Sequence, residues 1–322
     1  MFCTGAAEYM SKYLPIRVST LRGDQPIKFD AYVRVAGKYI LFCRQGDSFE
    51  NQRLERLKSK KLSLMYIPVE QEISYSKYMT QNMEKAYSSA VNAPLEIRAQ
   101  IIQGAIQASV EDLAEDVSNQ AFYKVLYENA LRFKAFLAED SALLTLLSIN
   151  NHEFNIAHHE VNVAALAIAI AEETGFAEAN PMQMPHLIMG ALLHDLEHHH
   201  DNINLSKPPT DLPESQKTIY DRHSDRGAEK LREFAFYDPL IATIVGQHEE
   251  RIDGQGPDSK KEKEQHEAAQ IVAVANAFDQ YLQYDKIDPK EALRRILIEK
   301  MGVLSLDVMK SLQDALKKKN II

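Results

Sequence analysis

The spacing of apolar residues changes along the chain and predicts two kinds of structure. Within residues 1–75 the apolar positions fall in short runs, and the runs at 29–35, 39–43 and 64–69 have the alternation or length of β-strands. A basic segment at 51–61 has the pattern of a short helix. We therefore expect a small α/β domain over residues 1–75. Because these residues contain no phosphate loop and no cluster of metal ligands, a regulatory or partner-binding role is expected for them.

From residue 76 onward the apolar positions recur with the period of an α-helix. Over residues 76–140 this pattern predicts a helical connector, which could hold a dimer interface. Over residues 141–322 it predicts a compact helical bundle. The predicted fold class is therefore mainly α with a small α/β domain at the N-terminus. Seven candidate helices of the bundle cover residues 157–173, 185–198, 214–233, 239–250, 264–284, 289–300 and 305–317.

The composition of the 322 residues is typical of a soluble globular protein, with 45% hydrophobic and 26% charged residues. Because no apolar run of about 18 residues occurs, we expect no transmembrane helix. The N-terminus lacks a basic start followed by an apolar stretch, so it does not predict a signal peptide. The two cysteines, Cys3 and Cys43, form neither a metal motif nor a disulfide framework, which favours a reducing cytoplasm.

Charged residues and histidines are unevenly distributed along the chain. The net charge of −9 argues against binding of bulk nucleic acid, although residues 1–75 alone carry a net charge of +4. All 11 histidines lie between His152 and His266. Since neutral imidazole is a metal ligand and also a base near pH 7, such a cluster indicates metal binding or proton transfer. A helical domain that carries histidines on its surface is the alternative.

His194 and Asp195 follow an apolar helix predicted at 187–193 and can supply a nitrogen and a carboxylate to a metal centre. A carboxylate that bridges two divalent ions about 3.5–4 Å apart lets the pair activate water against a phosphate ester. Further histidines are placed in order on separate predicted helices, namely His159, His223 and His248. The alternative is that His194 and Asp195 only cap the end of a helix.

The order and spacing of these residues resemble the HD-GYP family, whose members are metal-dependent phosphodiesterases of the HD superfamily that hydrolyse cyclic di-GMP. The resemblance covers residues 141–322, and it includes the loop at Lys207, the Asp-Gly-Gln-Gly-Pro sequence at 253–257 and the turn at Leu306. It implies that the C-terminal bundle is of the HD type. Residues 10–75 look like the small N-terminal domain that accompanies some members.

The resemblance also implies a set of ligands for two divalent transition metal ions. Asp195 is then both the bridging ligand and a catalytic residue. Asn155 stands where three-metal members have a Glu, which implies two ions rather than three. Iron suits a mixture of histidine and carboxylate ligands best, and manganese comes next. The implied ligands are His159, His194, Asp195, His223, His248, Glu249 and Asn276.

Two of these ligands and one signature residue depart from the family pattern. Glu249 stands where the family has a second histidine, and a different register would make it a surface acid. Asn276 takes the place of an Asp, and an amide oxygen is a weaker ligand than a carboxylate. Gly256 is followed directly by Pro257, so the Tyr of the Gly-Tyr-Pro signature is absent.

The groups that would contact the substrate depart from the pattern as well. His198 replaces the Lys that usually follows the HD pair by three residues. This position implies a catalytic role for His198, although residues 198–200 could equally form a solvent-facing stretch. The usual phosphate-binding Arg is missing near Asp285. Lys207 and Lys286 are the remaining candidates for substrate binding.

The resulting hypothesis is a metal-dependent phosphodiesterase with weak or altered use of cyclic di-GMP or a related cyclic dinucleotide. One alternative is a catalytically degenerate signalling module that keeps its metals and binds a protein partner, which the missing Tyr and Arg favour. A second alternative is an HD phosphohydrolase for another nucleotide, but the Asp-Gly-Gln-Gly-Pro sequence argues for HD-GYP ancestry.

Overall fold

The chain is divided into two units, Met1–Ala93 and Pro94–Ile322. The computed structural model describes residues 12–49, 52–59, 62–87, 93–149, 155–201 and 203–322. A small antiparallel sheet lies in the first unit, and the second unit is helical apart from isolated bridges. The predicted fold class is thereby confirmed.

The sheet of the first unit has four antiparallel strands in the order β1-β4-β2-β3. The predicted alternation at 29–35 and 39–43 becomes a hairpin of two strands, and the run at 64–69 becomes β4. The sequence pattern did not indicate β1, in which Pro15 interrupts the apolar alternation. Proline is tolerated there because β1 lies at an edge of the sheet. The strands are β1 Tyr13–Arg17, β2 Ala31–Val35, β3 Lys38–Cys43 and β4 Leu64–Pro68.

Two helices complete the first unit, α1 Gln52–Ser59 and α2 Glu72–Tyr87. Tyr78 of α2 is buried in the same apolar core as Phe29, Phe49 and Met65. Its hydroxyl oxygen accepts a hydrogen bond of 2.9 Å from the backbone N–H of Arg22. Helix α2 therefore belongs to the sheet domain, whereas the connector predicted at 76–140 would have separated it from that domain. A regulatory role for this unit stays a prediction.

The second unit starts with the rest of the predicted connector. Its first two helices pack against the later helices of the same unit, so residues 94–140 are part of the bundle. The reason is that both helices bury apolar side chains, among them Ile102, Leu113, Leu126 and Phe133. The helices of the unit are α3 Leu95–Glu115, α4 Gln120–Leu137, α5 Ala142–Ile149, α6 Ile156–Glu173, α7 Phe176–Ala179, α8 Met184–Leu192, α9 Glu214–Tyr220, α10 His223–Arg232, α11 Pro239–Gln247, α12 Glu267–Tyr284, α13 Pro289–Glu299 and α14 Leu306–Lys318.

Helix α6 is the central helix of the bundle and packs against α3, α8, α12 and α14. Its N-cap is Asn155, whose side-chain oxygen accepts hydrogen bonds from the backbone N–H groups of Ala157 and His158. Every residue from 157 to 171 except His158 is buried. A helix that is apolar on all sides must be surrounded by other elements. Its polar residues are therefore held inside the bundle.

Glycines allow the helices that carry the HD pair and two further histidines to approach closely. A Cβ atom at Gly190 of α8 would lie 2.8 Å from the side chain of Ile244 in α11. At Gly227 of α10 it would lie 3.0 Å from Val245, again in α11. The backbones of α8 and α10 can approach α11 this closely because Gly190 and Gly227 carry no side chain. The spacing brings the ends of these three helices together.

A fragment that comprises residues 94–322 is expected to fold and to bind metal ions as the full chain does. All 11 histidines lie in this unit, and it has an apolar core of its own. Metal content per folded chain would be compared between the fragment and the full chain after identical loading with Mn²⁺. A folded fragment that binds no metal would mean that the first unit contributes to the site.

Candidate metal centre

Three histidines of the centre lie at helix ends and share one local geometry. His194 follows α8, His223 begins α10 and His248 follows α11. In each case Nδ1 contacts the backbone carbonyl oxygen three residues earlier, at 2.8 Å for His194, 2.5 Å for His223 and 2.8 Å for His248. A carbonyl oxygen can only accept, so Nδ1 carries the proton. In the neutral ring Nε2 is then free to be a metal ligand.

The break between α9 and α10 explains why His223 can take this position. The sequence pattern predicted one helix over 214–233, but the chain turns at residues 221–222 and a new helix begins at His223. The imidazole is therefore directed from a helix N-terminus into the centre, and it is 1% exposed.

One carboxylate oxygen of Asp195 faces the first ligand group, which consists of Asp195 Oδ2, His159 and His194. Asp195 Oδ2 lies 3.8 Å from His159 Nε2 and 3.5 Å from His194 Nε2. The two histidine nitrogens lie 3.3 Å from each other. All three residues are buried, and their ligand atoms lie within 4.8 Å of one another, as a metal site requires.

The other oxygen faces the second ligand group, which consists of Asp195 Oδ1, His223, His248 and Glu249. Asp195 Oδ1 lies 3.1 Å from His223 Nε2 and 3.6 Å from His248 Nε2. The two histidine nitrogens are 3.0 Å apart. Glu249 Oε1 lies 3.7 Å from His248 Nε2. The carboxylate of Asp195 thus lies between two pairs of histidines.

These donors fit divalent metal ions. Two neutral imidazoles whose Nε2 lone pairs face each other across 3.0 or 3.3 Å repel unless a proton or a metal ion lies between the two nitrogens. Imidazole nitrogens bind zinc at about 2.0–2.1 Å, so both nitrogens of such a pair can reach one ion. Nitrogen and carboxylate oxygen donors together suit divalent transition metals.

Asp195 and the histidines around it shift one another's pKa values. Burial raises the pKa of Asp195, but His194, His198 and the hydrogen bonds from His223 and His248 lower it far more, so the carboxyl stays ionised. Burial lowers the pKa of His223, whereas its hydrogen bond to Asp195 raises it to about 9. Burial holds the pKa of His194 well below its usual value. At neutral pH a proton therefore competes with a metal ion for His223.

His159 is oriented by a carboxylate that lies 120 residues later in the chain. His159 Nδ1 donates a hydrogen bond of 2.7 Å to Asp279 Oδ2, and Asn162 Nδ2 donates one of 2.9 Å to Asp279 Oδ1. Asp279 on α12 is fully buried. Burial lowers the pKa of His159, but the hydrogen bond and charge of Asp279 raise it more. Such an outer carboxylate fixes the ring and makes the histidine a stronger ligand.

Glu249 and Asn276 contact each other. Asn276 Nδ2 donates a hydrogen bond of 3.3 Å to Glu249 Oε1. The side-chain oxygen Oδ1 of Asn276 accepts a hydrogen bond of 3.0 Å from Gln280 Nε2. The amide of Asn276 is thus directed to Glu249 through its nitrogen, so in this arrangement it holds the carboxylate of Glu249 in place. That either residue is itself a ligand stays a prediction.

His198 is buried beside the second ligand group, which excludes the solvent-facing alternative for it. It is 5% exposed, and burial lowers its pKa to about 3. His198 Nε2 lies 4.0 Å from Asp195 Oδ1. Its two neighbours also face the protein. His199 Nε2 lies 3.0 Å from Glu160 Oε1, and His200 Nε2 donates to the carbonyl oxygen of Ala114 at 2.6 Å.

The remaining candidate residues lie at the surface or in loops. Lys207 is exposed in the loop before α9. Lys286 is exposed after α12 and has a positive φ of 51°. Roles for both lysines in substrate binding stay predictions. His266 caps α12 by accepting the N–H of Ala268, and His152 lies outside the described residues.

The Asp-Gly-Gln-Gly-Pro loop is held next to the centre by a buried carboxylate. Glu250 directly follows Glu249 and is 1% exposed. Its two oxygens accept hydrogen bonds from the backbone N–H groups of Asp258 and Lys260, at 2.5 and 3.1 Å. A Cβ atom at Gly256 would lie 2.7 Å from the backbone nitrogen of Arg251. Gly256 is therefore required by a close backbone approach.

Sequence reasoning missed several residues that surround the ligands, namely Asn162, Asp201, Tyr220 and Gln280. The resemblance to the HD-GYP family gives Asp279 only the second acidic position of the helix that carries Asn276. For Asp279 a signal existed, since its distance of three residues from Asn276 places both on one side of a helix. Tyr220 and Asp201 lie three residues from His223 and His198, but their side chains contact Glu249 and Arg226, which depends on how separate elements pack.

Comparison with known proteins identifies the same part of the chain. The HD domain family matches residues 156–281. The solved structure of Bd1817, an HDG"Y"P protein from Bdellovibrio bacteriovorus, is similar with a TM-score of 0.87 and 38% identity, over 95% of this chain and 99% of that chain. No curated protein matches the sequence. The described residues also contain no helix long and apolar enough to cross a membrane.

The HD domain match includes the histidines and the Asp195 carboxylate of both ligand groups. The similarity to Bd1817 extends over nearly the whole chain at an identity that indicates common descent. The chain therefore belongs to the HD-GYP family, within the HD superfamily of metal-dependent hydrolases.

Proposed function

We propose that the protein is a metal-dependent phosphodiesterase that acts on cyclic di-GMP or a related cyclic dinucleotide through a dinuclear centre. The observation that carries this proposal is the position of Asp195, whose two oxygens face two different pairs of histidines. A carboxylate placed in this way can serve two ions at once. Iron is the ion we expect first and manganese second, because the ligands combine imidazole and carboxylate.

Each ligand group would hold one ion. His159, His194 and Asp195 Oδ2 would hold the first, and His223, His248 and Asp195 Oδ1 the second. When bound, two such ions polarise the phosphate and activate water at neutral pH. The protein itself keeps the ligands buried and orients their nitrogens through the Nδ1 hydrogen bonds.

His198 is the side chain we assign to contact the reacting phosphate or the attacking water. Among the described residues neither of its ring nitrogens has a hydrogen-bond partner, although the side chain is buried. A buried polar group without a partner costs about 1–3 kcal/mol, so a substrate or water atom there would relieve a penalty. Lys207 and Lys286 are our candidates for contacts with the outer phosphate.

Turnover of cyclic di-GMP is expected to be weak. No Tyr stands between Gly256 and Pro257, and residues 285–289, which directly follow α12, include no Arg. Loss of one charge-assisted phosphate contact costs about 1.5–3 kcal/mol, which is roughly a ten- to hundredfold loss of binding. A small activated phosphodiester needs fewer such contacts and should still be cleaved slowly.

The test measures phosphodiester cleavage by protein that has been loaded with metal ions under anaerobic conditions. The substrates are cyclic di-GMP and bis(p-nitrophenyl) phosphate, and chelator-treated protein is the control. Metal-dependent cleavage of the small ester with weak or no cleavage of cyclic di-GMP is expected. Rapid hydrolysis of cyclic di-GMP would contradict the expected weak turnover of this substrate. Inactivity on both esters with both ions bound would favour the signalling module, for which a protein partner or a homodimer stays a prediction.

A further inference from the structure

Tyr220 contacts the second ligand group through its backbone and its hydroxyl group, and its ring contacts the neighbouring His198. Tyr220 is the last residue of α9. Its carbonyl oxygen accepts the hydrogen bond from His223 Nδ1 at 2.5 Å. A backbone carbonyl can be supplied by any residue at this position, so this contact does not require tyrosine. The other two contacts depend on the side chain.

The hydroxyl group of Tyr220 holds the carboxylate of Glu249. It donates a hydrogen bond of 3.3 Å to Glu249 Oε1, and Asn276 Nδ2 donates one of 3.3 Å to the same oxygen. This oxygen is also the one that lies 3.7 Å from His248 Nε2. The side chain of Glu249 is 31% exposed, so it has room to turn toward solvent. The two donors keep Oε1 next to the histidines.

The ring of Tyr220 stacks on His198. The two ring centroids are 5.1 Å apart with an angle of 19° between the planes, and His198 stacks in turn on His223 at 4.3 Å and 28°. The nearest carboxylate oxygen to His198 Nδ1 is that of Asp201, at 3.5 Å. Because the part of the chain that the structure describes gives the nitrogens of His198 no hydrogen bond, its orientation depends on these stacked rings.

We infer that Tyr220 is a positioning residue for the second metal ion, because its hydroxyl group holds Glu249 in the second ligand group while its ring holds His198 beside that group. The inference rests on the proposed dinuclear function. Neither contact was indicated by the sequence, in which Tyr220 lies 22 residues after His198 and 29 residues before Glu249. The competing explanation is that the ring of Tyr220 only fills space between helices.

The Tyr220→Phe variant separates these explanations because it keeps the ring and removes only the hydroxyl group. Tyr281→Phe is the matched control, since Tyr281 donates a comparable hydrogen bond of 2.8 Å to Glu299, a residue outside both ligand groups. The full-length wild type and both variants would be titrated with Mn²⁺ alone. Calorimetry would give the affinity of each ion, and electron paramagnetic resonance would report the coupling between two bound ions.

We expect Tyr220→Phe to bind the second Mn²⁺ about tenfold more weakly and the first with unchanged affinity, because partners of ligands typically change metal affinity by about 10–100-fold. Tyr281→Phe should match the wild type. Tyr220→Leu removes the ring as well, and should lower the affinity for the second ion further. Wild-type affinity and an unchanged resonance spectrum in Tyr220→Phe would overturn the inference, as would equal weakening of both ions.

The same titration separates this inference from the proposed function. A wild type that binds two Mn²⁺ ions while Tyr220→Phe behaves identically would overturn only the role of Tyr220. A folded wild type that binds fewer than two ions at saturating Mn²⁺ would overturn the dinuclear proposal, and the role of Tyr220 with it.

Discussion

Replacement of Asp195 by alanine is expected to remove both divalent ions from the protein. The two oxygens of this carboxylate face His159 and His194 on one side and His223 and His248 on the other. The substitution therefore takes one oxygen donor from each ligand group. It also takes the negative charge that lies between four buried imidazoles, and two neutral nitrogens bind a divalent ion more weakly than two nitrogens with a carboxylate.

Metal content of Asp195→Ala would be measured by elemental analysis after loading with Fe²⁺ or Mn²⁺ under anaerobic conditions. The expected result is little or no bound metal and loss of phosphodiester cleavage. Asp307→Ala is a suitable control, since the carboxylate of Asp307 is 94% exposed. Thermal unfolding would establish that both variants are folded.

Asp195→Asn refines the test because it keeps the size of the side chain and one oxygen. It is expected to serve at most one ligand group and to bind at most one ion. If Asp195→Ala were folded and retained one ion at full occupancy, Asp195 would not be the bridge between the two groups.

Replacement of Asp279 by alanine is expected to lower the binding affinity for the first ion by about 10–100-fold, which corresponds to a loss of about 1.4–2.7 kcal/mol of binding free energy. Asp279 accepts the N–H of His159 Nδ1 at 2.7 Å and is held by Asn162 at 2.9 Å. Without the carboxylate, the ring of His159 loses the group that orients it and the negative charge that strengthens its Nε2 as a donor. The amide of Asn162 would lose its partner as well.

The Mn²⁺ affinity of each site would be measured by calorimetry for Asp279→Ala and Asp279→Asn. The asparagine keeps an oxygen that can accept from His159, so its effect should be smaller. Asp238→Asn is the matched control, because it removes the charge from another Asp–His pair, with His186 at 3.5 Å. An unchanged first-ion affinity in folded Asp279→Ala would contradict the role assigned to this carboxylate.

The sequence by itself determined the fold class and the choice of candidate ligands. Alternating apolar residues indicated β2, β3 and β4, because side chains alternate between the two faces of a strand. The helical period indicated most helices of the bundle within a few residues. His159, His194, Asp195, His223 and His248 could be chosen because their residue types and order suit a metal centre, and the structure brings their ligand atoms together.

Only the tertiary structure decided how these elements are divided and which residues support the centre. Because of Pro15 the sequence pattern did not predict β1. A proline is compatible with β1 because this strand lies at an edge of the sheet, and only the strand order shows that. Helix α2 belongs to the sheet domain because Tyr78 is buried in its core. No glycine or proline marks the break before His223, so local sequence did not predict the start of α10 there.

The arrangement of the site depends in the same way on packing between distant parts of the chain. His159 and Asp279 are 120 residues apart, and their hydrogen bond exists because α6 packs against α12. The two faces of Asp195 are defined by helix ends that meet where Gly190 and Gly227 allow close approach. Residue types and spacing indicate which groups can bind a metal, whereas the directions of their donor atoms follow from contacts that no local pattern contains.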